Sequence, residues 1–130
     1  MTREIKFRAY IKNQERMCGW DGVDGVRTYF REMSLDKDVC LMQFTGLKDK
    51  TGKEIYEGDV VRWHDTSEDI DKGWSRTAIV EIGPDLFFHC FDIGGKEHNR
   101  DFHYGNFIWK ETEKYFEVLG NIYQNPELIK

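Results

Sequence analysis

Residues 41–61 read LMQFTGLKDKTGKEIYEGDVV, and the meaning of their glycines decides the fold. Glycine, a polar run and then Gly52-Lys53 invite comparison with a phosphate-binding loop. Such a loop needs four residues between its first glycine and the Gly-Lys pair, then a Ser or Thr whose hydroxyl reaches Mg²⁺. Here five residues separate Gly46 from Gly52, and Glu54 stands where the hydroxyl belongs, so a carboxylate would repel the phosphates. A helix should follow, to hold the anion on its first N–H groups. Instead Gly58 interrupts the run and β-branched Val60 and Val61 end it. Nucleotide binding is rejected. Gly46, Gly52 and Gly58 lie six residues apart and read as turn positions that demand positive φ.

Working outward from this block, strand signals dominate. Ile5, Phe7, Ala9 and Ile11 alternate with Glu4, Lys6, Arg8 and Tyr10, which predicts a strand with an apolar face and a wet face. A turn at Asn13-Gln14 lets residues 16–20 return as its hairpin partner. Residues 25–33 fit a helical stripe through Val26, Tyr29, Phe30 and Met33, but their Val, Thr, Tyr and Phe content favours a strand. Residues 38–45 and 58–64 read as strands, and the acidic segment 64–74 as a loop and a candidate subdivision of a single 1–130 unit. Residues 75–82 and 86–91 form a hairpin about Gly83-Pro84-Asp85. A second polar loop over 94–101 precedes a strand over 102–109, and Phe116, Val118, Gly120 and Ile122 share one face of a last strand. Short strands at close spacing with glycine turns indicate a mainly β fold, an SH3-like barrel or rolled sheet with a smaller appended β or loop-rich part.

The chain has 130 residues, enough to bury about two-thirds of its extended surface. Its 9 Phe, 6 Tyr and 4 Trp supply a core. The formal charge of −5 provides no global attraction to nucleic acid. Three widely spaced cysteines without a CxxC pair indicate reduced thiols, and the start MTREIKFRAY lacks the apolar core of a signal peptide. No run approaches the length of a membrane helix. The expectation is a cytoplasmic protein with no membrane contact.

Three blocks carry a resemblance. EIKFRAY at 4–10, the 41–61 block and VLGNIYQNPEL at 118–128 together resemble the YopX protein family of phages and prophages, across essentially the full chain. The resemblance implies a β-rich fold with an SH3-like barrel and a phage or prophage origin in a bacterial host cell. It implies no chemistry.

His89, Cys90, His98 and His103 are metal-ligand types, but structural zinc sites use close Cys or His pairs, and neighbouring His89 and Cys90 point to opposite faces of one strand. Asp65, Glu68, Asp69 and Asp71 lack the order of a calcium loop. His98, Asn99, Arg100, Asp101 and His103 leave a metal-dependent nuclease as the third reading, without a nucleophile or metal cluster to complete it. Cys40 lies in an apolar strand and reads as a buried thiol. No catalytic, cofactor or metal residue is assigned.

Two surfaces remain. Lys6, Arg8, Lys48, Lys50 and Lys53 form a basic contact patch if strand and loop are neighbours. Phe102, Tyr104, Phe107 and Trp109 form an aromatic interface for a partner, a second copy included. The expected function is a non-enzymatic phage or prophage binding or assembly module acting through protein contacts and self-association. A nucleic-acid-associated protein is the alternative.

Overall fold

The computed structural model describes residues 5–23, 25–64, 75–83, 85–93, 96–103 and 116–129. The chain runs β1 (Phe7–Ile11), β2 (Arg16–Cys18), α1 (Phe30–Leu35), β3 (Val39–Lys48), β4 (Glu54–Tyr56), β5 (Asp59–His64), β6 (Ser75–Ile82), β7 (Leu86–Ile93), β8 (Lys96–His103) and β9 (Glu117–Asn121). Short 3-10 turns cover Lys12–Gln14 and Pro126–Ile129. The fold is mainly β. One sheet has the order β2-β1-β3-β4 and the other, which curls as a half-barrel, the order β8-β7-β6-β5-β9. Every pairing is antiparallel, consistent with the short connections.

All three glycines of the 41–61 block adopt positive φ, at 89°, 89° and 88° for Gly46, Gly52 and Gly58. Their tasks differ. Gly52 turns the β3–β4 hairpin. Gly46 lies inside β3, where the register with β4 shifts between Phe44 and Lys48. The Thr45 hydroxyl holds that bulge by donating to the Ile55 carbonyl at 2.7 Å and accepting the Leu47 N–H at 3.1 Å. A bulge with a left-handed glycine bends a strand, so the first half of β3 pairs with β1 and its second half with β4. Gly58 carries the chain from one sheet to the other. The Glu57 N–H still bonds to the Gln43 carbonyl of β3, whereas the Gly58 N–H bonds to the Val80 carbonyl of β6.

Three apolar clusters fill the fold. The largest gathers Ile55, Val61, Trp63, Ala78, Val80, Phe88, Cys90 and Phe116 inside the curled sheet. A second packs Ala9, Ile11, Cys18 and Val26 with Phe7, Trp20 and Met33, and a third packs Met42, Phe44 and Tyr56 with Tyr10 and Tyr123. β1 is therefore covered on both faces, by the second cluster on one side and the third on the other.

Two readings of the sequence need correction. Residues 25–33 are not a strand: Gly25 to Tyr29 form turns and α1 begins at Phe30. β propensity is overridden by packing: Val26 is fully buried in the turn, and Met33 of α1 packs against the same cluster. Residues 96–103, read mostly as loop, form β8. This edge strand draws its pairing from the β7 backbone, and its polar sequence carries no apolar alternation to reveal it. The candidate subdivision at 64–74 falls almost wholly outside the described residues, as does most of the expected 102–109 strand.

The last turn shows how tightly glycine is used. A Cβ on Gly120 would lie 2.4 Å from Asn125 Oδ1 and 2.7 Å from its Cγ, and Oδ1 is held by the Asn121 N–H. Gly52, by contrast, faces open space. Gly120→Ala is expected to cost about 2 kcal/mol or more through overpacking, and Gly52→Ala about 1 kcal/mol through its positive φ alone. Urea unfolding of both variants checks the order; equal losses would contradict the close approach.

Candidate functional site

The 41–61 block faces β1 across the third cluster. β1 bonds to β3 from Phe7 opposite Gln43 to Ile11 opposite Val39, and this places Lys6 and Arg8 over the β4 turn. Their side chains point inward. Arg8 Nη2 pairs with Asp59 Oδ1, and Lys6 Nζ with Glu54 Oε2. The Lys6 and Arg8 side chains are only 13% and 12% exposed, and Asp59 1%. Each cation also rests on a ring, Lys6 Nζ 4.7 Å from the Phe44 centroid and Arg8 Cζ 4.7 Å from that of Tyr56. The wet face expected for β1 is thus a second buried face. The alternation is present, but charge does not mean solvent here, because Glu54 and Asp59 meet these cations from the next layer.

Tyr56 and Asp59 close the network. The Tyr56 N–H donates to Asp59 Oδ2 at 2.8 Å, and its hydroxyl donates to Glu54 Oε1 at 3.2 Å. Burial, reinforced by the Glu54 charge, pushes the Tyr56 hydroxyl up to about 12. Burial also raises the Asp59 carboxyl above 3.8, and the Arg8 charge and the Tyr56 N–H offset this only in part. Arg8 Nε is buried with no hydrogen-bond partner among the described residues.

Asp49 ties the β3–β4 hairpin to β9. Its Oδ1 accepts the Thr51 N–H at 2.8 Å, the Thr51 hydroxyl at 2.7 Å and the Lys53 N–H at 2.9 Å, while Oδ2 accepts the Val118 N–H at 3.0 Å. Burial works to raise this carboxyl, but the bonds from Val118, Thr51 and Lys53 outweigh it and hold the pKa below 3.8. Asn121 plays a similar part in the last block: its Oδ1 accepts the N–H groups of Tyr123 and Gln124, and Tyr123 stacks on Tyr10 with centroids 5.4 Å apart. Burial and a bond with Cys40 push the Tyr123 hydroxyl up to about 12.

The three sequence blocks that carried the resemblance therefore meet around one interior. A YopX protein family model matches residues 6–130. The chain belongs to the YopX protein family. No curated protein matches it. Among solved structures, that of protein EF1440 from Enterococcus faecalis is 20% identical over 99% of this chain and 100% of that one, with a TM-score of 0.49.

The remaining candidates of this YopX family member separate. Lys48, Lys50 and Lys53 are exposed, so the five-residue basic patch divides into two buried and three surface cations. Of the aromatic interface, Phe102 is placed in β8 opposite Phe88, and Tyr104, Phe107 and Trp109 lie outside the described residues. His89 pairs with Asp101 at 2.7 Å across β7 and β8, while Cys90 is buried on the opposite face. Cys40 is half-buried rather than buried. Among the described residues no His, Cys, Asp and Glu cluster has the form of a metal site, and no helix is long and apolar enough to cross a membrane. The acidic segment at Asp65 to Asp71 lies outside the described residues.

Sequence reasoning missed the carboxylates Asp49, Glu54 and Asp59. The available signal was the presence of acids within the same block that borders the cationic strand.

Removing one member of the Arg8–Asp59 pair leaves a buried unpaired charge, so Arg8→Met is expected to cost about 3–5 kcal/mol. Combining it with Asp59→Leu should recover most of that loss in urea unfolding. If the double variant is as unstable as Arg8→Met, the buried charge is not the cause.

Asp49 has a depressed folded pKa, so its contribution is present above the unfolded value of 3.8 and is lost as pH falls through the lower folded one. Asp49→Asn is expected to flatten stability against pH in this acid window. Its unfolding should otherwise become easier by about 2 kcal/mol, because the carboxylate's bonds to N–H donors weaken. Urea titrations from pH 5 to pH 2 measure both effects.

Proposed function

We propose that this YopX family member is a non-enzymatic phage or prophage accessory in the bacterial cytoplasm, a module that binds protein partners and associates with copies of itself. One observation supports the reading above the others. Among the described residues, the exposed large apolar side chains other than Ile129 all fall within residues 5–35: Ile5 is 71% exposed, Val23 84% and Leu35 79%, with Tyr29 and Phe30 also open. Within the same segment Phe30 packs 5.1 Å from Phe7 and 6.4 Å from Trp20, centroid to centroid. Exposed apolar side chains and clustered rings in one segment are the composition of a protein interface, where rigid rings supply contact area at small entropic cost. Lys6, Arg8, Asp49, Glu54 and Asp59 of the family blocks are meanwhile spent on internal bonds.

Light scattering of the full chain at micromolar concentration tests the self-association. The expected mass is well above 15.5 kDa and persists in moderate salt. Val23→Asp with Leu35→Asp should return it toward the monomer without loss of thermal stability, since both side chains are largely exposed. A strictly monomeric wild-type protein would remove self-association from the proposal.

A further inference from the structure

We propose that the β3–β4 hairpin tip, residues 48–53, is a docking site for the phosphate backbone of nucleic acid, carried by Lys48, Lys50 and Lys53. The argument is an accounting of charge within one block. Residues 41–61 contain four acids and three lysines. All four acids are engaged inside the protein. Asp49 accepts four bonds from Thr51, Lys53 and Val118. Glu54 holds Lys6 and Tyr56, Asp59 holds Arg8 and the Tyr56 N–H, and Glu57 accepts the Gln43 N–H at 3.3 Å. The three lysines are all exposed, and none forms an ion pair with a described residue.

No acid of the block forms an ion pair with a lysine of the tip among the described residues. Lys53 does act on Asp59 through space, but the oxygens of Asp59 are already taken. The tip therefore carries three exposed lysines against one inward carboxylate, Asp49, a formal charge of +2, and its lysines have no ion-pair partner among the described residues. At physiological salt the screening length is about 8 Å, so the −5 net charge spread over the molecule does not cancel them locally.

The tip is also held in shape. Besides the Asp49 bonds, the Asp49 N–H bonds to the Lys53 carbonyl, the Lys50 N–H to the Phe116 carbonyl and the Gly52 N–H to the Asp49 carbonyl. Three cations on a fixed backbone favour a polyanion whose charges recur at regular spacing whatever its sequence. A nucleic-acid backbone supplies that, whereas an acidic peptide must first order its own flexible carboxylates. Lysine ammonium groups contact phosphate as point charges, without the fork that reads base edges. The site is accordingly one of sequence-independent contact, and it stands apart from the apolar face at residues 5–35.

Fluorescence anisotropy with labelled 30-nucleotide single- and double-stranded probes, over 25–200 mM salt, tests the proposal on the full chain. Three phosphate contacts give a slope of log K against log salt of about −2.7 for duplex and about −2.1 for single strands. Duplex binding should then weaken about forty-fold from 50 to 200 mM salt. K48Q/K50Q/K53Q is expected to abolish binding while its thermal melt matches wild type. K12Q/K37Q, which removes two exposed lysines elsewhere, should bind as wild type. No binding to either probe at 25 mM salt overturns the proposal, as does binding unchanged in the triple variant. Capture of polyglutamate but not of the probes assigns the tip to an acidic protein instead, and likewise overturns it. The light-scattering mass of the triple variant should equal that of wild type, so the tip and the self-associating face fail or stand separately.

Discussion

The buried pair of Arg8 and Asp59 sets the terms for the structure around it. Asp59 opens β5, the first strand of the curled sheet reached after Gly58, and Arg8 lies in the middle of β1 in the other sheet. Their contact requires that the two sheets meet at one relative position, because a buried carboxylate without its cation is far costlier than a misplaced methyl group. Everything nearby serves this meeting. The bulge at Gly46 bends β3 toward β4, and the single peptide step at Glu57-Gly58 changes partner from β3 to β6. The rings of Phe44 and Tyr56 then cover the two cations.

Such a pair specifies position more than it adds stability. Burial raises Asp59 even with Arg8 beside it, and Arg8 Nε finds no partner among the described residues, so desolvation is only partly offset. The apolar clusters supply the cohesion, with Phe88 and Phe116 5.0 Å apart and Trp63 5.0 Å from Phe116. Asp49 contributes in another manner. Its four bonds go to N–H and O–H donors that the turn and β9 would otherwise leave unmet. Acidic residues thus organise the block from within, and its lysines are left on the outside.

Much of the fold was legible in local pattern. The 75–82 strand coincides with β6, the turn at Gly83 carries a φ of 151°, and all three block glycines take the positive φ expected of them. Legibility failed where a tertiary partner decided the outcome. α1 follows a turn in which Val26 is buried with Ala9 and Ile11, and its Met33 packs partly buried against the same cluster, information that propensity does not contain. β8 exists through the β7 backbone, which has no side-chain signature. At the candidate site the alternation puts Lys6 and Arg8 on one face of β1, and the acids that cover that face come from distant positions in the chain.

By itself the sequence determined the family, the β class, the glycine geometry and the alternation of β1, because each depends on residue type and spacing within a few positions. Only the tertiary structure decided which charges are spent and which are free. Glu54 and Asp59 lie 48 and 51 residues from the cations they neutralise, and Asp49 lies 69 residues from Val118. Pairings across such separations are set by how the sheets pack. One sequence feature, five lysines and arginines thought to form one surface, is therefore two: a buried pair that fixes the sheets and an exposed trio on a locked hairpin.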